Sequence, residues 1–305
     1  MNHAALTGTT IVVPGSISNL GPSFDALSVA VQLYIKLTIV DVVPAAPDTV
    51  EWMFDGQPPS GDNRIATAYD LARARVGTPA PGLRVRVASD IPQTAGLGSS
   101  AAAAVAGLRL YEAVTAPRAP LEWLSLASEL EGHPDNAAAA LLGGLAISCE
   151  LGDGRVTART TAWPDAIRLI VATPELGLHT SHARAVLPQQ LPLQDAIFNL
   201  QRALLFVRAL ESGAHEDLRE AMADRWHQPS RAPLVPGLAE AIALDDPAIL
   251  GVCLSGAGPS ILALATVADA PAAAARLREL YDSLGLPCTI RSLSAHQPAT
   301  DAAHQ

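Results

Sequence analysis

A glycine- and serine-rich stretch that runs into alanines, IPQTAGLGSSAAAA at residues 91–104, constrains this chain more than any other segment. It predicts a strand end, a loop and then a helix that begins at Ser99 and Ser100. Gly96 and Gly98 allow positive φ values and a close approach of a ligand to the backbone. Unpaired N–H groups and a partial positive charge at a helix N-terminus favour phosphate. The stretch therefore predicts an anion-binding loop.

The composition restricts the class of protein. The 305 residues suffice for one large or two medium domains, and the formal net charge of −10 gives no basic footprint for nucleic acid. The only lysine, Lys36, lies far in sequence from the glycine loop, so the loop is not a Walker-A motif ending in G-K-[ST]. The sequence contains no apolar run of about 18 residues, so we expect no membrane-spanning helix. Three scattered cysteines favour a reducing compartment, and we expect a cytoplasmic protein.

The order of the predicted elements divides the chain into two halves. Each half is rich first in strands and then in helices, which favours an α+β fold over a doubly wound sheet. A polar, turn-rich segment at residues 151–161 is either a hairpin or the join between the domains, and we place the domains at residues 1–158 and 159–305. Alternating apolar residues predict one long strand at residues 29–43. Residues 15–24 are expected to form a loop, and the end of the chain from residue 295 is expected to be frayed.

Several charged and polar residues suggest chemistry but also fit ordinary structural roles. Glu131, about thirty residues after the loop, is either a solvated helix end or, with a serine hydroxyl, an oxygen ligand for Mg²⁺ beside bound phosphates. Asn19 and Asp25 belong either to a capped turn or to a pocket floor in which Asp25 holds an ammonium group. Arg184 and Arg231 would clamp a carboxylate if they converge on one cleft, which the sequence alone does not settle.

Other features remain open on the residues alone. His133 is either a ligand contact or a loop histidine. His179 and His182 lack a third metal ligand at suitable spacing, so a metal pair is not favoured. The second glycine stretch, residues 255–260, is either a tight turn or a second wall against phosphate. The first loop lacks the G-x-S-x-G pattern, so a hydrolase nucleophile is not expected there.

Two loops together resemble a known family. Residues 92–102, PQTAGLGSSAA, resemble the P-x-x-x-G-L-G-S-S-A-A loop of the GHMP kinases, the group that includes galactokinase, homoserine kinase, mevalonate kinase and phosphomevalonate kinase. Residues 255–260, SGAGPS, resemble the C-terminal glycine loop of that family. The loops follow in the family's order, and the resemblance covers roughly residues 9–293.

Three further motifs make the chain most similar to the homoserine kinases within this group. They are SNLGPSFD at residues 18–25, EGHPDN at residues 131–136 and TSHARAVLP at residues 180–188. Ser181 and His182 replace the charged pair that usually precedes Ala183, and two further residues depart from the family pattern. Ser23 replaces a common glycine in the first motif, and Ala95 replaces a frequent arginine before the glycine loop.

The resemblance implies an ATP-dependent small-molecule kinase that uses Mg²⁺. The substrate would be L-homoserine, phosphorylated on its hydroxyl to O-phospho-L-homoserine in threonine biosynthesis. The implied fold is an N-terminal ribosomal-protein-S5-like domain that binds ATP and a ferredoxin-like C-terminal domain, and a homodimer is usual. Another GHMP kinase acting on a different small alcohol, or a catalytically silent ligand sensor of the same fold, remains an alternative.

The resemblance also implies roles for individual residues. Contacts to the amino-acid substrate are implied for Asn19, Asp25, His133, Asn136, Arg184, Arg231 and Gly256. Contacts to ATP are implied for Asn63, Pro92, Gly96, Leu97, Gly98, Ser99 and Ser100. Ser100 and Glu131 would hold Mg²⁺. Residues at the reacting centre would be Thr180, Asn136 and Glu131. No residue stands out as a protein base, although Asp135 lies nearest in sequence, so we expect transfer without a strong one.

Overall fold

The first half of the chain forms a mixed sheet packed against helices. In the computed structural model, which describes residues 6–56, 58–59, 61–178 and 180–298, six strands pair in this sheet. They are β1 (Thr10–Ser18), β2 (Leu27–Val43), β3 (Val50–Phe54), β4 (Gly82–Ser89), β5 (Leu145–Glu150) and β6 (Val156–Thr161). The strand order is β3-β4-β2-β5-β6, and β1 pairs with β2.

Strand β2 is the central strand of this sheet, because it pairs with β1, β4 and β5 along its 17 residues. The long strand that the alternating apolar residues predict is confirmed. The loop expected at residues 15–24 is wrong in its first part, since residues 15–18 continue β1 beyond an irregularity after Pro14. Pairing with β2 satisfies the backbone N–H and C=O groups there and outweighs the turn-forming composition of the segment.

Four helices accompany this sheet: α1 (Arg64–Val76), α2 (Ser99–Val114), α3 (Pro120–Glu131) and α4 (Asp135–Leu142). Helix α2 buries four alanines and a glycine between residues 101 and 107, so its neighbours can approach it closely there. Any side chain at Gly107 of α2 would collide with the carbonyl oxygen of Ile65 in α1. This close packing brings Arg64, the first residue of α1, beside the first turn of α2.

The second half folds as a ferredoxin-like α+β unit. Its strands are β7 (Ile167–Pro174), β8 (Gly251–Leu254), β9 (Ile261–Thr266) and β10 (Cys288–Leu293). They pair antiparallel in the order β10-β7-β9-β8. Its helices are α5 (Thr180–Ala185), α6 (Leu193–Ser212), α7 (Leu218–Ala221), α8 (His227–Arg231), α9 (Leu238–Ile242) and α10 (Ala270–Ser283). Two interleaved β-α-β units in one sheet define the ferredoxin-like arrangement and confirm the expected fold class.

The end of the chain returns to the first sheet. Ala295 forms a bridge with Val31 of β2, and the His296 N–H donates to the carbonyl oxygen of Ala30 at 2.9 Å. The expectation of a frayed tail is therefore wrong for residues 295–297: the backbone of Ala295 and His296 pairs with the first half, and the Gln297 side chain bonds the backbone of Trp163. Residues 299–305 lie outside the described part of the chain.

The polar segment at residues 151–161 forms a hairpin, since it contains the turn after β5 and all of β6, which pairs with β5. The second sheet begins at Ile167. The division of the chain between residues 158 and 159 stays a prediction. Within the described ranges, no helix combines the length and the apolar character needed to cross a membrane.

Candidate active site

Two adjoining cavities lie on either side of the glycine loop. The first, of about 520 Å³, is lined by residues from both halves of the chain, and the second, of about 580 Å³, is lined by the first half alone. Four residues line both cavities: Arg64, Thr94, Ser99 and Ser100. The loop and the start of α2 therefore form the shared wall of a cleft with two chambers.

The glycine loop is held in place from two sides. Gly96 and Gly98 have φ values of 75° and 68°, in the left-handed region that favours glycine. A side chain at Gly96 would collide with the backbone of Ser255 in the second glycine loop, and one at Gly98 would collide with the Ser16 hydroxyl of β1. Helix α2 begins at Ser99, directly after Gly98. The unpaired N–H groups of its first turn therefore border the cleft.

An acidic and a hydroxyl side chain meet beside this loop. The Ser100 hydroxyl donates to Glu131 Oε1 at 2.9 Å, and the Glu131 side chain is only 8% exposed. Both are oxygen donors of the kind that Mg²⁺ prefers, and their place beside the loop leaves the remaining coordination positions to phosphate oxygens and water. The donor set therefore fits Mg²⁺.

Asp25 and Arg184 form a bidentate ion pair in the first cavity. Arg184 Nη1 and Nη2 donate to the two oxygens of Asp25 at 3.0 and 2.6 Å. The Asp25 backbone has a φ of 57° and is fixed by Asn19, whose Oδ1 accepts the Asp25 N–H at 3.0 Å. Asn19 Nδ2 in turn donates to the carbonyl oxygen of Gly256 at 3.0 Å. Residues from both halves thus fix one carboxylate at the cleft.

Arg231 is buried beside this pair, with 1% of its surface exposed. Its Nε donates to the carbonyl oxygen of Ala183 at 3.0 Å, and its Nη1 donates to that of Gly256 at 3.1 Å. Burial and the neighbouring Arg184 lower the pKa of Arg231 to about 10, so the guanidinium remains charged at neutral pH. Both guanidinium carbons lie 5.2 Å from the centre of the Phe24 ring. The two arginines therefore converge on one cleft.

His133 and Asn136 also line the first cavity. His133 Nδ1 lies 2.6 Å from Asp135 Oδ1. Burial disfavours the charged imidazolium, but the hydrogen bond and charge of Asp135 outweigh that effect and raise the pKa of His133. Asn136 accepts from the Ser16 hydroxyl at 2.8 Å and donates to the Ser18 hydroxyl at 3.1 Å. Strand β1 thereby fixes the Asn136 amide at the cleft.

The structure brings most of the sequence-predicted site residues together. Those that line the first cavity are Asn19, Asp25, Gly96, Leu97, Gly98, Ser99, Ser100, Glu131, His133, Asn136, Arg184, Arg231 and Gly256. Asn63 lines the second cavity and caps α1. Pro92 lines neither cavity. The Thr180 side chain and all of His179 lie outside the described part of the chain.

A buried polar network behind Arg231 was missed from the sequence. The Asp224 carboxylate accepts from Asn199 Nδ2 at 2.6 Å and from the Gln228 N–H at 2.7 Å. His227 Nε2 lies 2.7 Å from the carbonyl oxygen of Gly21, and its Nδ1 lies 3.3 Å from Arg231 Nη1. The spacing of three and four residues between Asp224, His227 and Arg231 is the signal that would have placed them together. Arg64, beside Glu131, was missed as well.

Family models match both halves of the chain. The model described as GHMP kinases N terminal domain matches residues 63–144, and the one described as GHMP kinases C terminal matches residues 206–283. A homoserine kinase from Thermus thermophilus is 41% identical over 262 residues, which are 85% of this chain and 87% of the relative. One from Moorella thermoacetica is 37% identical over 288 residues, or 92% and 95% of the two chains.

Solved structures share the architecture. The homoserine kinase from Cytophaga hutchinsonii superposes with a TM-score of 0.80 at 23% identity, over 95% of this chain and 96% of that one. The mevalonate kinase of Methanococcus jannaschii superposes with a TM-score of 0.67 at 15% identity, over 95% and 98%. Both show the two-domain GHMP kinase fold. By its family models and its relatives, the chain belongs to the GHMP kinase family and, within that family, to the homoserine kinases.

Proposed function

We propose that this protein transfers the γ-phosphoryl group of ATP to the hydroxyl of L-homoserine, giving O-phospho-L-homoserine and ADP, a step of threonine biosynthesis. One observation carries the proposal for the substrate. A carboxylate and two guanidinium groups, those of Asp25, Arg184 and Arg231, converge within one cavity whose wall is an anion-binding glycine loop. The cavity thus suits a zwitterion on one side and phosphate on the other.

The free cysteines agree with a cytoplasmic location.

An α-amino acid carries both charges that the Asp25–Arg184 pair needs. Its carboxylate would bind Arg184 and Arg231, since arginine binds carboxylates through paired hydrogen bonds. Its ammonium would bind Asp25, where ligand atoms of Asp25, His133 and Asp135 lie within 4.8 Å of one another. The zwitterion would thereby replace one ion pair by two, so its charges are compensated when they leave water. A neutral alcohol offers no such exchange.

ATP would occupy the second cavity and the glycine loop. The base would lie near Asn63, and the phosphates would lie against Gly96–Ser100 and the first N–H groups of α2. Ser100 and Glu131 would hold Mg²⁺, which neutralises charge on the β- and γ-phosphates when it is bound. Pro92 would shape the start of the loop without lining either cavity.

The chemical step requires mainly alignment, because phosphoryl transfer has a loose transition state. Clamping the amino-acid head at Asp25 and Arg231 leaves the hydroxyl end directed toward the loop, which converts binding energy into orientation. Asn136, held by two serines of β1, would position the hydroxyl. The role of Thr180 at the reacting centre rests on the resemblance alone. The proton would pass to phosphate or water, without a dedicated protein base.

A coupled assay of ADP release tests the proposal directly. L-homoserine should be turned over with the highest kcat/KM in a panel with L-serine, L-threonine, mevalonate and galactose. A preference of at least about a hundredfold over mevalonate and galactose is expected, because these lack the ammonium group that Asp25 binds. ADP release without any of these acceptors measures the background. Equal turnover of mevalonate, or no turnover of any acceptor, would contradict the proposal.

The buried side chain of His227 holds Arg231, the proposed carboxylate ligand, in place only while the His227 imidazole is neutral. The Gly21 carbonyl can only accept, so Nε2 of His227 carries the proton, and the Arg231 N–H can only donate, so Nδ1 of His227 must be unprotonated. A second proton would point at the guanidinium. Burial lowers the pKa of His227, and Arg231 adds to this, although the charges of Asp224 and Asp25 oppose it.

This protonation state predicts a pH-dependent stability. A pKa lower in the folded than in the unfolded chain stabilises the fold above about pH 6.5, and the effect is lost as the pH falls toward the folded-state pKa. The free energy of unfolding should fall by up to about 1.4 kcal/mol per pH unit as the pH is lowered below about 6.5. In H227Q, whose amide can make both bonds without titrating, this slope should shrink. Denaturant unfolding at several pH values measures it, with exposed His182→Gln as the control; an unchanged slope in H227Q would contradict the assignment.

We also propose a homodimer that forms through helix α6. Four apolar side chains form an exposed stripe along that helix: Leu193, Ile197, Leu200 and Leu204. Their spacing of four, three and four residues places them on one helix face. Leu200 and Leu204 are 61% and 65% exposed, so the stripe offers apolar area that a second copy would bury.

Light scattering tests the dimer. Wild-type protein should have twice the 31.6 kDa mass of the chain, whereas Leu200→Glu with Leu204→Glu should have the mass of a monomer, because burying two carboxylates at the interface is costly. Val267→Glu replaces an exposed apolar residue elsewhere and should remain dimeric. A monomeric wild type, or a dimeric double variant, would contradict this interface.

A further inference from the structure

A cation of the protein lies against the two oxygens that suit Mg²⁺. Arg64 Nε lies 3.3 Å from Glu131 Oε1 and 3.3 Å from the Ser100 hydroxyl oxygen. Ser100 donates to the same Glu131 oxygen at 2.9 Å, so the three groups form a closed triangle. Glu131 is nearly buried, and a buried carboxylate needs a compensating charge. Arg64 supplies that charge.

We propose that Arg64 is the counter-ion of Glu131 in the nucleotide-free enzyme, and that it yields this carboxylate to the metal that arrives with ATP. The inference rests on the proposed function, because it assumes that Ser100 and Glu131 receive Mg²⁺. It assigns Arg64 a positioning role: the arginine keeps the carboxylate compensated and oriented until the nucleotide binds.

Charge and space both favour an exchange over joint occupancy. A divalent ion bound to Glu131 and Ser100 would lie within a few ångströms of the guanidinium, and two cations at that separation repel strongly in a partly buried cleft. Arg64 has space to move, since its side chain is 39% exposed and lines both cavities. Rotation about the bonds of this long side chain would direct the guanidinium at the phosphates on the glycine loop. There its charge would again be compensated.

The exchange has a consequence for metal binding that does not depend on turnover. Without nucleotide, a metal must displace Arg64 without any new partner for the arginine, so the affinity is reduced. With nucleotide, the phosphates accept the displaced guanidinium, and the reduction disappears. Metal and nucleotide should therefore bind as a pair in the wild type, and removal of the Arg64 charge should weaken this coupling.

Electron paramagnetic resonance of Mn²⁺, used as the probe metal, measures this affinity with and without ADP. Without nucleotide, R64Q should bind Mn²⁺ at least about fivefold more tightly than the wild type, because an ion pair no longer competes. With ADP this advantage should disappear. Adding E131Q to R64Q should abolish the gain, which ties it to that carboxylate. Arg75→Gln is the matched control, since Arg75 pairs with Glu129 at 2.8 Å across the same two helices, α1 and α3.

The outcomes separate the two proposals. If R64Q binds Mn²⁺ no more tightly than the wild type without nucleotide, or if R75Q shows the same gain, the role of Arg64 is overturned. If wild-type protein binds no Mn²⁺ even with ADP, the metal site of the proposed function fails instead. A gain in R64Q that requires Glu131 and disappears with ADP supports the exchange.

Discussion

The backbone contact between the two glycine loops is the constraint on which the rest of the site depends. Gly96 of the first loop lies so close to Ser255 of the second that no side chain fits between them. The Ser255 hydroxyl donates to the carbonyl oxygen of Gly96 at 2.6 Å, and the Ser260 N–H donates to that of Ala95 at 3.2 Å. This contact joins the two domains. It also fixes the distance from the first glycine loop to Gly256, whose carbonyl oxygen accepts hydrogen bonds from Asn19 and Arg231.

Around this contact between the two glycine loops, paired charges line the cleft. Each cation that borders it has an anionic or carbonyl partner: Arg184 has Asp25, Arg64 has Glu131, and Arg231 has backbone carbonyls. Burying a guanidinium is costly unless its hydrogen bonds are satisfied, so Arg231 depends on the network around His227 and Asp224. The charges of the cleft are therefore compensated without ligands, and under the proposed function a zwitterion and a nucleotide would replace these internal partners. The same principle underlies the amino-acid clamp and the role proposed for Arg64.

The sequence was informative where the structure depends on local signals. The glycine loop, the start of α2 at Ser99 and the long strand β2 all follow from residues that are near one another in the chain. The loop expected at residues 15–18 failed because pairing with β2, which lies later in the chain, decides the conformation there. Arg184 and Arg231 converge on one cleft although they lie 47 positions apart, and Arg64 pairs with Glu131 over a still longer separation. The periodicity of a sequence does not reveal contacts between residues so far apart. The family resemblance supplied the first of these but not the second.

The central claim is that the cleft recognises the zwitterionic head of L-homoserine through Asp25 and the two arginines. Calorimetry with L-homoserine, 4-hydroxybutanoate, which lacks the ammonium, and 3-aminopropan-1-ol, which lacks the carboxylate, tests it most directly. Each analogue should bind at least about tenfold more weakly than L-homoserine. Asp25→Asn should weaken L-homoserine about tenfold while changing 4-hydroxybutanoate much less. Equal binding of L-homoserine and 4-hydroxybutanoate, or an equal loss of both in D25N, would contradict the claim.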